Sequence, residues 1–218
     1  MKTGMWDWRF GFTLFLGAVP FVFGGAGLAA LAFVIGIARA PRMGSVIAIL
    51  AFALCLAALA PPFIMKRTAQ SVPPIHDITT DWRDPPAFDA AASERAPNEN
   101  SLVYAGAELA EIQQRAYPDI APVLLRSPPD EAFALAQRTA EEMGWDILAV
   151  NRAAGRIEAV ATTWWWGFKD DVVVRISDGP DGGARIDIRS ASRVGTSDIG
   201  ANAKRIRAYS ERLRAGAS

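Results

Sequence analysis

Ser190, Ser192, Arg193, Ser197, Asp198, Asn202 and Arg205 form the densest polar cluster of the chain. The local pattern makes this a corner where a strand ends and a helix begins. Exposed helix-start amides and two guanidinium groups would converge there, the chemistry of a pocket for an anion or a peptide carboxylate. The competing reading is structural. In it Asp198 caps the helix and the arginines tie the loop to carboxylates of the strands and of the preceding tether. A hydrolase or lipid-modifying enzyme would need the same corner, residues 193–202, together with acids from the tether.

Trp164, Trp165 and Trp166, followed by Gly167 and Phe168, lie between two strand-like runs. Strand alternation sends successive indoles to opposite faces. They either form a surface cluster that contacts lipid headgroups, an apolar ligand or a partner, or pack partly under the helices. His76, Asp77 and Asp81, with Asp84 close by, are the weak candidates for a metal, since carboxylates with one imidazole suit a hard divalent cation. The same residues are common as turn and cap formers, so no metal site and no cofactor are expected. Asp170-Asp171 is not an acid pair, because strand neighbours face opposite ways; ion pairing suits it better. The chain has one histidine and one cysteine, and Cys55 lies in an apolar run where a thiolate would be strongly desolvated. No phosphate loop, nucleophile elbow or histidine-centred triad can be assembled, so a non-enzymatic role is favoured.

The elements that must position these residues begin with two apolar stretches. Residues 10–38 and 44–65 carry no charged side chain, and about 20 apolar residues suffice to cross a hydrocarbon core of about 30 Å. They predict a transmembrane hairpin, with Arg39, Pro41 and Arg42 in its turn. Small residues (Gly17, Gly24, Gly25, Ala29, Ala32 and Gly36, then Ala48, Ala53, Ala57 and Ala58) allow close helix packing, either within the hairpin or as a seam for a homo-oligomer. The 23 basic and 23 acidic residues cancel, which removes the electrostatic case for nucleic-acid binding. Lys2, Arg9, Lys66 and Arg67 against two turn arginines point the chain ends to the cytoplasm.

The sequence divides into an anchor (1–67), a proline-rich surface tether (68–101) and an α+β domain (102–218). Within the last, Pro122 to Leu125 suggests a short extended piece, and Ser127-Pro-Pro-Asp130 opens a helix with Phe133, Ala136, Ala140 and Met143 on one side, ending at Gly144. Four alternating runs follow: 145–151, 156–163, 168–177 and 185–192. Their inner face carries Ile157, Val172, Val174, Ile186 and Ile188. Glu158, Arg175, Asp187 and Arg189 occupy the other face, predicted to be wet. A final helix from Asp198 carries Ile199, Ala203, Ile206, Tyr209 and Leu213 inward. The prediction is a two-layer α+β fold: a four-stranded antiparallel sheet with helices on one face. The tether segment 90–100 reads as mobile.

The runs Trp165-Trp-Gly-Phe-Lys-Asp-Asp-Val-Val-Val-Arg175 and Ile188-Arg-Ser-Ala-Ser-Arg-Val-Gly-Thr-Ser-Asp-Ile-Gly-Ala-Asn202, with Arg205-Ile206, resemble domain-of-unknown-function family 1499. Ile75-His-Asp-Ile-Thr-Thr-Asp81 and Ala116-Tyr-Pro-Asp-Ile120 are similar to its membrane-linked bacterial members. The resemblance spans about residues 71–213 and implies no activity or catalytic residue. It implies a bacterial envelope protein in the inner membrane, with an exported, periplasmic domain that overrides the charge count. The expected partners are the bilayer and an envelope protein, as a binding or scaffolding module or as an accessory subunit of a transport complex.

Overall fold

The computed structural model describes residues 8–39, 42–163 and 166–217, which divide into two compact units, 1–71 and 72–218. In the first, α1 (Trp8–Arg39) and α2 (Arg42–Ser71) are long helices. Their stretches Thr13–Ile35 and Val46–Ser71 are long and apolar enough to cross a membrane. The helices pack through small side chains: Ala26, Ala29 and Ala48 are buried, and a methyl on Gly25 would meet the Cys55 Sγ at 3.5 Å. Gly17, Gly24, Ala32, Ala53, Ala57 and Ala58 face outward instead, as do Phe21, Leu28, Leu50 and Leu54, each at least 65% exposed. Helix α2 runs four residues past Arg67, to Ser71.

The second unit is a six-stranded antiparallel sheet, not a four-stranded one. Its strands are β1 (Asp77–Thr79), β2 (Val123–Leu125), β3 (Asp146–Asn151), β4 (Arg156–Thr162), β5 (Lys169–Asp178) and β6 (Ala184–Ser192). The order is β1-β6-β5-β4-β3, and β2 pairs the other half of the β6 edge. The two extra strands are three residues each, too short to alternate visibly, and β1 lies among prolines. Ala159↔Val172 and Val172↔Ser190 fix the register across the centre. Gly155 closes the β3–β4 turn at φ +59, where a Cβ would lie 2.1 Å from the Ile176 carbonyl, so only glycine fits.

Helices α3 (Ala90–Glu94), α4 (Ala107–Ala116), α5 (Pro129–Glu142) and α6 (Ala201–Gly216) complete the unit. Alternation sends Ile157, Val172, Val174, Ile186 and Ile188 to the face covered by α5 and α6, where they join Phe133, Ala136, Ile206, Tyr209 and Leu213 in one core. Trp145 stacks on Tyr209 at 4.8 Å, whose hydroxyl donates to the Ala136 carbonyl. Two sequence expectations about helix starts are corrected. Pro128, not Ser127, precedes α5 as its cap, with no side-chain hydrogen bond, and the Ser127 hydroxyl is buried without a partner. Helix α6 starts at Ala201, so Ile199 lies outside it, at φ +52.

Most of the other sheet face is not wet; of the four polar residues expected there only Arg175 is half-exposed. Glu158, Asp171, Asp187 and Arg189 are at most 3% exposed, because residues 81–104 cross over them as a strap. This strap contains α3 and is pinned rather than loose, as the next section describes. Along the outer side of β1, the buried Gln113 of α4 does the work of a missing strand. Its Nε2 donates to the Thr79 carbonyl at 2.7 Å, and its Oε1 accepts the Thr79 N–H at 3.0 Å.

Candidate functional site

The polar corner divides between the two faces of the sheet. Positions 190 and 192 of β6 face the helices, while 189, 191 and 193 face the strap. On the helix side, Ser190, Ser192, Asn202 and Arg205 come together. The Ser190 hydroxyl donates to Asn202 Oδ1 at 2.7 Å, and Asn202 Nδ2 donates to Ser192 Oγ and to the His76 carbonyl, both at 2.9 Å. Arg205 donates to Ser190 Oγ and pairs with Asp170, a strand acid on the same face. Arg193 is absent from this group. It lies under the strap, where it donates to Asp171 at 2.7 Å and to the Glu94 carbonyl at 3.2 Å.

The loop between β6 and α6 is likewise self-satisfied. Asp198 accepts the Gly200 and Asn202 amides at 2.8 Å through its two oxygens, and its own N–H donates to the Ile75 carbonyl. Burial pushes its carboxyl above the ordinary range, against those amide hydrogen bonds. Ser197 Oγ accepts the Ile199 N–H at 3.2 Å. Ile199 is β-branched and held in the left-handed region, a conformation that costs about 1–3 kcal/mol; the Asp198 contacts on either side hold it there. The helix-start amides that an anion would need are therefore occupied by Asp198, and each of the two arginines by an aspartate.

The strap is a second, larger polar constellation. Asp171, fully buried, is shared by Arg193 and Arg95, whose Nε lies 2.7 Å from it. Arg95 also donates to the Asn100 and Ala191 carbonyls. Residues 90–100, expected to be mobile, are thus tied to the sheet centre. Arg189 makes a two-pronged pair with Asp77 at 2.7 and 3.0 Å and donates to the Pro86 and Leu102 carbonyls. Its guanidinium lies between the rings of Phe88 and Tyr104 at 5.0 and 5.3 Å. Glu158 accepts the Asp89 and Ala91 amides at the start of α3. Asp187 and Asp81 are shared by Arg175 and Arg185, and Asp84 pairs with Arg175. Two of the three weak metal candidates, Asp77 and Asp81, are therefore arginine partners, and the described residues include no group of acids, histidine and cysteine able to hold a metal.

Beside β1, Pro74, Ile75, His76, Asn100, Ser101, Val103 and Leu109 line a cleft of about 240 Å³. The His76 Nδ1 and the Tyr104 hydroxyl are buried without a protein partner. Burial and the nearby Asp77 raise Tyr104 to a pKa of about 12, against the opposing pull of Arg189. Of the aromatic triplet, Trp164 and Trp165 lie outside the described residues, and Trp166 is half-buried in the β4–β5 turn. Sequence reasoning missed Gln113 and Arg95, the latter in a segment that reads as mobile. The ion pairing expected of Asp170-Asp171 is present, with Arg205 for the first and with Arg95 and Arg193 for the second.

No curated protein matches the chain. The crystal structure of TTHA0849 from Thermus thermophilus is similar at 12% identity with a TM-score of 0.29, over 45% of this chain and 97% of that one; a likeness this slight carries no argument. The family comparison agrees with the motif resemblance: residues 77–213, from β1 through the strap and sheet to the last turns of α6, match the model for "Protein of unknown function (DUF1499)", and the chain belongs to that family.

Proposed function

We propose that the chain is a multi-pass protein of the bacterial inner membrane, anchored by α1 and α2, whose second unit is a non-enzymatic binding or scaffolding module for an envelope protein. The observation that carries this reading is the outward face of the two helices. Phe21, Phe23, Leu28, Leu50 and Leu54 are 62–82% exposed, an apolar surface that water does not tolerate over two whole helices and that lipid covers. The non-enzymatic side of the reading is supported by the polar corner, whose arginines and amides are committed to internal partners and so are not free to act on a substrate. An exported, periplasmic domain rests on the family resemblance.

An alkaline carbonate wash of membranes tests the anchor. The intact chain is expected to stay in the pellet, and its release into the supernatant overturns the reading. In the same membranes, an Ala217→Cys chain in a Cys55→Ala background is expected to react with an impermeant maleimide from the periplasmic side; labelling from the cytoplasmic side alone reverses the orientation.

A further inference from the structure

One end of the sheet gathers several half-buried apolar groups. Four backbone bonds define this end. The Ser192 N–H donates to the His76 carbonyl, Arg193 to Lys169, Thr163 to Phe168, and Asp198 to Ile75. The β4–β5 turn, the loop 193–200 and the entry segment 72–76 therefore lie side by side. Trp166, Phe168, Val194 and Ile199 are half-buried there, Lys169 and Thr196 are exposed, and Val103 beside the entry segment is 81% exposed. The same turn carries Trp164 and Trp165 in the sequence. Of the acids of this end, Asp170 pairs with Arg205 and Asp171 with Arg95 and Arg193, while Asp198 accepts the Gly200 and Asn202 amides.

The chain itself says what such a surface would meet. Residues 72–76 separate the end of α2 from the first sheet residue, and five extended residues reach at most about 17 Å. From Met65, the last residue of the apolar run, to Ser71 the helix adds only about 9 Å. We infer that this end of the sheet rests on the lipid surface, with Trp166, Phe168 and Val103 in the headgroup layer and Lys169 toward lipid phosphates. Aromatic rings and a snorkelling lysine are the side chains that this layer favours. The inference rests on the membrane-anchor reading.

The test uses the full chain, Cys55→Ala, in liposomes of phosphatidylcholine and phosphatidylglycerol, with one nitroxide at Val103→Cys, Thr196→Cys, Ala153→Cys or Leu54→Cys. Ala153 lies in the β3–β4 turn at the opposite end of the sheet, and Leu54 faces outward from α2. The 103 and 196 labels are expected to collide with lipid-dissolved oxygen, relative to an aqueous nickel chelate, several-fold more than the 153 label. If they match the 153 label while the 54 label reads as lipid-facing, the surface contact is overturned and the anchor stands. If both are shielded from oxygen and nickel alike, a protein covers this end and the inference fails. An aqueous 54 label overturns the anchor and the inference together.

Discussion

Arg193 shows how one residue's face decides its role. It is three residues from Ser190 along β6, an odd step, so it points away from Ser190, Ser192 and Arg205. That parity was available in the sequence; it was obscured because proximity along the chain was read as proximity in space. In the fold Arg193 neutralises Asp171, which is fully buried. Arg193→Met leaves that carboxylate to Arg95 alone and is expected to lower stability by about 3 kcal/mol, the lower end for breaking a buried pair. Thermal unfolding in detergent measures it; unchanged stability with loss of an anion ligand would instead make the corner a binding site. The tyrosines give a second residue-scale prediction. Burial raises Tyr104, Tyr117 and Tyr209 alike. The fold favours the neutral phenol, so its contribution is complete below the ordinary value of 10.0 and declines as pH rises through about 12 for Tyr104. Absorbance near 295 nm is expected to show less phenolate at pH 10.5 in the folded chain than after denaturant is added; equal phenolate in the two states contradicts this.

At the scale of elements, the sequence placed α5, the four long strands and the body of α6 close to their actual bounds, because 3.6- and 2-residue periodicities are strong over such lengths. It showed the extended piece at 122–125 but not its pairing as β2, and it did not reveal β1 or the covered second face. An alternation of Val160, Val173 and Ala191 with Glu158, Arg175 and Arg189 looks the same whether water or an ion-paired strap lies above it. The strap's ion-pair partners are 67 to 104 residues away along the chain, as in Asp89–Arg156 and Asp81–Arg185, beyond what local pattern encodes. Gln113 is the clearest such case, since a polar residue on a short helix reads as exposed. Gln113→Leu removes both partners of Thr79 and is expected to cost about 1–3 kcal/mol for each stranded group. Hydrogen exchange should show the Thr79 amide losing protection while that of Val173 in mid-sheet keeps it; equal protection in variant and parent refutes the surrogate-strand role.

For the whole molecule, the division into an apolar hairpin and an α+β unit was legible from composition alone, because uncharged runs of this length have few other destinations. Which small residues face the partner helix was not. Gly25 and Ala29 turn inward and Gly24 and Ala32 outward, although all four satisfy the same small-residue criterion. Strand β6 pairs with β1, β2 and β5, yet it is the last strand to be synthesised. The two apolar helices leave the ribosome before the sheet, which at that point still lacks its centre. Segments 72–104, next to emerge, must wait for residues 184–193 before their aspartates and arginines find each other. A chain stopped before Ala184 would thus leave two finished helices ahead of an unfinished sheet, whose open edges and uncompensated charges would mark it for chaperones or proteolysis.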